Sequence, residues 1–543
     1  MASDSPVSTL PSRIASLVHA HFDALPARSK PTIFPDGSRE WVPMTGIVTV
    51  KGENTPSESL TCISVTSGAK CLSASHIPRC RGLVLHDCHA EILAIRAFNY
   101  WLLKECHSEL TREMHLPKGH HSSSLDNERS TSSLFIQRRN IEKDEHVDST
   151  SPTNWPPFEL QPDIKIYMYC TCAPCGDASM ELCMASQEDA TPWEVLKQEA
   201  PPSTDQDAEA PSEQTLLDGR AHFSLLGVVR RKPARMDAES TRSKSCSDKL
   251  ALRQVSSLLS CETTRLVAPT ENAYLAGLIL PEDEISQTGC DRSFGENGRM
   301  KPLKGRTWPE VTGPKERGPG YLFRPFQVLP VPSEEVAALW RFAKQKSMSC
   351  PAVSLEEQGD ESTSASNLKK SRPGNVSAVW AVAPSNHYPS AMPIDNGSKS
   401  LPTLCRSKTG LFETIINGVK QGNKASSPGA RGASSLSRAK LWALFRDITS
   451  LPNPHTDQLT VSPIKSTSNA LKTEELCANT AQGSVPEIIT YQDFKRPSSL
   501  EDSLHVRNQA IGDAKQVLSG WMPNTGDGGW GLEVLVDLKK RKR

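Results

Sequence analysis

The sequence predicts an α/β sandwich, and three stretches predict it. In DIKIYMY (residues 163–169), Ile164, Ile166 and Met168 fall on one face and Tyr167 and Tyr169 on the other, the two-residue period of a strand. FSLLGVV (Phe223 to Val229) is an unbroken apolar run, as expected of a strand buried on both faces. EILAIRAFNYWLLKE (Glu91 to Glu105) repeats apolar residues at helical spacing: Ile92, Ile95, Phe98 and Leu102, with Leu93, Ala97 and Trp101 alongside. Strands and helices alternating over such short distances pack as layers.

The segments between these read as insertions. Residues 117–157 are rich in Ser, His, Asn and Pro and lack periodicity. Residues 187–218 hold nine Asp/Glu against one Lys, a solvated composition. Residues 281–320, 351–374, 423–436 and 452–485 are polar or Gly/Ser-rich. One folded unit over residues 10–535, interrupted by disordered loops and followed by a basic tail at 536–543, is therefore expected. The composition agrees. Of 543 residues only 37% are hydrophobic, with 41 Pro and 32 Gly, so a dense core requires that much of the chain stay outside it.

Lys plus Arg total 62 and Asp plus Glu total 62. That balance argues against a protein that grips nucleic acid with its whole surface, while leaving room for a local basic face. MASDSPVSTLPSR at the start has no apolar signal region, and no stretch approaches the roughly 18 apolar residues of a membrane helix. The 15 cysteines lack scaffold-like spacing and read as reduced thiols, a few of them on metal. An intracellular protein, cytoplasmic or nuclear and without membrane attachment, is expected.

Two motifs carry chemistry. In HDCHAEI (86–92), His89-Ala90-Glu91 sits where a loop becomes a helix. In CTCAPCGDASM (170–180), Pro174-Cys175 follows the strand ending at Tyr169 and is expected to open another helix, because Pro suits a first turn. Catalytic zinc takes three protein ligands and keeps one position for water. His89 offers a nitrogen, Cys175 a sulfur, and Glu91 is placed to move protons to and from that water. The usual partner sulfur three residues after Cys175 is missing, for Ala178 stands there. Cys172 precedes Pro174 in the turn, and Cys183 lies about 12 Å further by helix rise. The best remaining candidate is Cys246 in KSCSDKLALRQ. From Arg230 to Arg253 there are eight Lys/Arg against three Asp/Glu, a basic approach to the site that suits a polyphosphate substrate.

Taken together, SGAKC (67–71), HDCHAE (86–91), PCGDASM (174–180), KPARMDAESTRSKSCSDK (232–249), GYLFRPFQVLPV (320–331), SSLSRAKLWALF (434–445), ITYQDFK (489–495) and SGWMPNTGD (519–527) resemble the adenosine deaminase (editase) domain family. Within it the chain looks most similar to the fungal tRNA-specific branch. The resemblance implies a three-layer α/β/α deaminase sandwich with a central mixed sheet. It implies zinc on His89, Cys175 and Cys246, with Glu91 as proton shuttle, and hydrolysis of adenosine to inosine beside the anticodon of alanine tRNA. No obligate protein partner is expected. It also implies a buried inositol hexakisphosphate, with Lys70, Arg96, Lys249, Tyr491, Lys495 and Trp521 at matching positions. The chain departs from the family with His86, Ile95 and Leu252-Arg253, so a partly different ligand set is expected. Lys232, Arg235 and Arg242 are the expected RNA contacts; the terminal KKRKR is a further basic feature. Two other readings stay open: an editor of structured mRNA, and an inactive deaminase fold kept as an RNA-binding module.

Overall fold

The computed structural model describes residues 8–115, 133–139, 156–186, 217–219, 225–232, 238–309, 320–344, 372–385, 410–451, 490–497 and 503–536. Its centre is an eight-stranded sheet. The strands are β1 (Met44–Lys51), β2 (Ser59–Ser67), β3 (Ile164–Cys170), β4 (Leu275–Pro281), β5 (Gln327–Val331), β6 (Ser377–Ala381), β7 (Leu411–Ile416) and β8 (Val419–Lys420). They run in the order β5-β4-β3-β1-β2-β6-β7-β8. Strands β3, β4 and β5 are parallel to one another, and every other neighbouring pair is antiparallel, so the sheet is mixed as expected.

Helix α1 (Leu10–Asp23) and helix α2 (Ala90–His115) lie on opposite faces of this sheet. The register shows why. Gly46 opposes Val65 and Thr45 opposes Thr66, and successive strand residues face opposite ways. A Cβ on Gly46 would collide with the methyls of Val18, so α1 presses on that face through the missing side chain. On the other face Thr66 donates to the carbonyl of Ala90 (2.7 Å) and Ser64 to that of Ala94 (3.4 Å), which pins the first turns of α2. Along α2, Leu93, Ala94, Ala97, Phe98, Trp101 and Leu102 are all buried. A helix apolar on most sides belongs inside, and α7 (Arg438–Thr449) covers its outer side.

The remaining helices frame the site. They are α3 (Met180–Ala185), α4 (Cys246–Ser256), α5 (Gln287–Phe294), α6 (Ser333–Leu339), α8 (Tyr491–Phe494) and α9 (Ser503–Val517). Helices α4 and α9 pack on a smaller core of Val255, Trp308, Tyr321, Ala510 and Ala514. Among the described residues, no helix is long and apolar enough to cross a membrane.

Several expectations change. The run Phe223 to Val229 is not a buried strand. Leu225 and Leu226 are 49% and 41% exposed, pairing resumes only at Arg230–Arg231, and Phe223 and Ser224 fall outside the described residues. The buried place beside β3 belongs to LAGLILP, strand β4. The supposed insertion at 281–320 folds as far as residue 309. Ser286 caps α5, and Cys290 and Phe294 are buried. Residues 423–436 are ordered turns that bury Ala433, Ser434 and Leu436. Within 117–157, residues 133–139 add a short strand, Ile136–Arg138, paired with Phe158–Leu160. Residues 187–216, 351–371, 452–485 and 537–543 lie outside the described residues.

Candidate metal centre and a buried cationic cavity

Three segments converge at the carboxyl end of β3, where crevices in open α/β sheets form. The first is a hairpin, Ala69–Cys71 paired with Asp87–His89, which feeds directly into α2 and puts Glu91 in its first turn. The second is the turn after β3. Cys175 does not open a helix, contrary to expectation; a short 3₁₀ turn begins at Asp177 and α3 only at Met180. Gly176 intervenes with φ of +107°, a conformation open to glycine, and a side chain there would strike Ser245. The third is the start of α4, where Cys246 is the first helical residue and Ser245 caps the helix by accepting from the Asp248 N–H at 3.1 Å.

The donor atoms of His89, Cys175 and Cys246 all lie within 4.8 Å of one another. His89 Nδ1 is 3.8 Å from Cys175 Sγ and 3.6 Å from Cys246 Sγ. The Cys246 N–H points at Cys175 Sγ, 3.4 Å away, so a helix N-terminus faces this sulfur and favours its thiolate form. The hydrogen bond with Cys246, then Lys232 and His89, hold the Cys175 thiol well below its ordinary range. The protein around Cys172 pushes that thiol well up, and Cys172 is outside the cluster. One nitrogen and two sulfurs with this spacing fit zinc.

Glu91 is 4% exposed, and its Oε2 is buried without a hydrogen-bond partner among the described residues. Burial raises its pKa, with His89 and Cys175 close enough to act on the carboxyl. A second overlapping group, Cys71, Asp87 and His89, is less suited to a metal. Asp87 is occupied: it accepts from Lys232 at 2.9 and 3.1 Å, from Ser243 at 2.6 Å, from Cys71 at 3.2 Å and from Lys249. Burial opposes its ionisation, but Lys232 and Lys249 outweigh that and hold the carboxyl well below its usual range. Lys232 also donates to Cys246 Sγ at 3.2 Å.

Five residues beyond Glu91 on α2, Arg96 lines a cavity of ≈ 190 Å³ together with Asn99, Arg253, Glu262, Tyr491, Lys495 and Arg507, among others. Four cations meet one carboxylate there. Burial and mutual crowding push Arg253 down to about 9, and lower Arg96 and Lys495. Arg507 Nε is buried without a hydrogen-bond partner among the described residues. Charges so arranged call for an anion.

The expected residues therefore separate. His89, Glu91, Cys175 and Cys246 come together. Arg96, Tyr491 and Lys495 line the cavity. Lys249 turns to Asp87, Lys70 sits opposite Cys88 on the hairpin, and Trp521 stands beside Lys244 and Lys515 at 5.8 and 5.9 Å. Of the expected RNA contacts, Lys232 is 4% exposed and faces Asp87 and Cys246, whereas Arg242 is half-buried and donates to the Thr525 carbonyl at 2.7 Å. Arg235 is outside the described residues. Sequence reasoning missed Asp87, Arg253 and Arg507 as functional groups. Asp87 lay in plain view inside HDCHAE, and Arg253 was noted only as a departure.

Residues 64–259 match the adenosine-deaminase (editase) domain family. The chain is 34% identical over 318 residues to tRNA-specific adenosine deaminase 1 of Schizosaccharomyces pombe, covering 58% of this chain and 66% of that protein. It is 31% identical over 273 residues to the Saccharomyces cerevisiae protein of the same name, covering 50% and 59%. It is 36% identical over 135 residues to the mouse double-stranded RNA-specific editase B2, covering 25% and 14%. Each match spans less than two thirds of the relative's own length.

Proposed function

We propose that this chain, which carries the adenosine-deaminase (editase) domain over residues 64–259, hydrolyses adenosine to inosine in tRNA. The observation that carries this reading is the buried, unpartnered Glu91 Oε2 beside a His/Cys/Cys cluster. His89, Cys175 and Cys246 would hold zinc, and zinc supplies a water acidic enough to lose a proton near neutral pH. Glu91, with its raised pKa, would accept a proton from the attacking water and deliver it to the amine leaving C6 of adenine. One C–O bond forms, the C6–N bond breaks, and ammonia departs. Lys232 keeps Cys246 electrostatically neutralised from behind. A base inside a helix cannot reach such a site, so the target nucleotide must leave its stack.

The substrate proposed is alanine tRNA, beside the anticodon, as the sequence resemblance implies; relatives named tRNA-specific support a tRNA substrate. Arg242 is the proposed RNA contact among the described residues. The cationic cavity is the proposed seat of inositol hexakisphosphate, held by Arg96, Tyr491 and Lys495 and, beyond the expected set, by Arg253 and Arg507.

Nucleoside mass spectrometry of tRNA incubated with zinc-loaded protein tests the activity. Inosine is expected in alanine tRNA. Its absence there, with inosine formed in duplex RNA instead, would replace this reading with an mRNA editor. For the cavity, inositol hexakisphosphate at 100 times its Kd should stabilise the protein by about 2.7 kcal/mol through mass action; an unchanged Tm would exclude it.

A further inference from the structure

Residues 282–294 grip the Cys175 turn from both sides. Upstream, the Ala173 N–H donates to Glu284 Oε2 at 2.9 Å. Downstream, Asp177 is buried two residues after Cys175, and Arg292 of α5 engages it three times. Arg292 Nε donates to Asp177 Oδ1 and Oδ2 at 3.0 and 3.1 Å, and Nη2 donates to the Asp177 carbonyl at 2.9 Å. Ser293 adds a bond to Oδ2 at 3.0 Å, and the Gly227 N–H one to Oδ1 at 2.8 Å. Arg292 Nη1 ends on Glu181 Oε1 at 2.7 Å, at the start of α3. Helix α5 comes this near only because residue 289 is glycine: a Cβ there would lie 2.6 Å from the Ala178 carbonyl.

On the opposite side, Ser247 of α4 donates to the carbonyls of Pro174 (3.1 Å) and Cys175 (3.0 Å). The Cys175 backbone is thus fixed between α4, which also carries Cys246, and α5, which carries no ligand. Among the described residues, the hydrogen bonds of Arg292 end on Asp177 and Glu181 and do not reach His89, Glu91 or either ligand cysteine.

We infer that Arg292, acting through Asp177, is a positioning residue that sets the place of Cys175 Sγ relative to His89 and Cys246. The inference rests on the zinc reading above. Its physical basis is that a planar guanidinium fixes a carboxylate in orientation as well as distance, which an ammonium does not. Groups that orient metal ligands are commonly worth 10- to 100-fold in metal affinity.

The test uses the full chain loaded with Co²⁺ or Zn²⁺. Thiolate-to-cobalt absorption reports the geometry at Cys175, and chelator competition reports affinity. Arg292→Gln is expected to lose about 100-fold in metal affinity and to shift the cobalt band; Arg292→Lys should lose about 10-fold. Should Arg292→Gln fail to fold, Arg292→Lys carries the decision. Arg324→Gln, which breaks an exposed ion pair to Glu271 and removes no bond to the turn, should leave the spectrum unchanged. A folded Arg292 variant with wild-type affinity and spectrum overturns the positioning role while leaving the zinc reading intact. Failure of the wild-type protein to take up either metal overturns both.

Discussion

Lys232 shows how far charge counting reaches. It lies in a basic stretch and was expected on the RNA, yet its ammonium sits between Asp87 and Cys246 Sγ. Composition records how many charges a segment holds; it cannot say which way an extended chain turns them. His89-Ala90-Glu91 and Pro174-Cys175 were legible as short motifs, whereas Cys246, 71 residues after Cys175, was legible only through the family resemblance. Cys246 was preferred to Cys172 from SCSDK, and the structure places Cys246 in the cluster. Replacing Lys232 by Met keeps the stem and removes the charge. Zinc affinity should fall about 10- to 100-fold, read by chelator competition, because the sulfur loses its neutralising neighbour. At Glu91 the expectation is opposite in kind. Glu91→Gln should keep stoichiometric zinc by elemental analysis yet lose at least about 100-fold in kcat, since only the proposed proton carrier is removed.

Elements were legible where one periodicity was strong and misleading where composition overrode it. Strand β3 and helix α2 follow their apolar patterns closely. The FSLLGVV run carries the same apolar signal as a buried strand, but β4 takes that position, while Leu225 and Leu226 are exposed and Gly227 lies beside Arg292. Helix α5 was hidden by Gly, Ser and charge, the very residues that cap it and allow its close approach. Close approach also governs the α1 layer. Gly46 sits under Val18 with no room for a methyl. Gly46→Ala should therefore cost about 1–3 kcal/mol of stability by overpacking. Val18→Ala in the same chain should recover part of it, because the colliding methyls are removed. Urea denaturation of the single and double variants measures this coupling; simple additivity would show that α1 does not bear on Gly46.

Over the whole molecule, equal numbers of acidic and basic residues conceal an uneven placement. Arg96, Arg253, Lys495 and Arg507 gather inside around one acid, Glu262, and Arg507 in particular has no local motif that would reveal it. The same interior decides how stability depends on pH. His19 is 2% exposed, with Nε2 2.8 Å from the Tyr169 hydroxyl, and the His21 ring lies 4.6 Å from that of Trp380, tilted by 34°. Burial lowers both from 6.5 to about 4. Each is therefore neutral in the folded protein at a pH where the unfolded chain binds a proton. Their contribution is complete above pH 6.5 and is lost as pH falls from 6.5 towards 4. At about 1.4 kcal/mol per unit, each histidine withdraws about 3 kcal/mol across that window, a large share of the roughly 5–15 kcal/mol that holds a typical domain folded. On the zinc reading proposed above, loss of the metal in acid adds to the fall, because its ligands protonate. Comparison with His19→Gln/His21→Gln at fixed zinc removes that shared part. The double variant should be less stable than wild type at pH 7.5 and show a shallower decline between pH 6.5 and 4, followed by urea midpoint. Parallel curves for the two proteins would mean that the histidines are charged inside the fold, and that α1 is not packed as tightly on β3 and β6 as these contacts require.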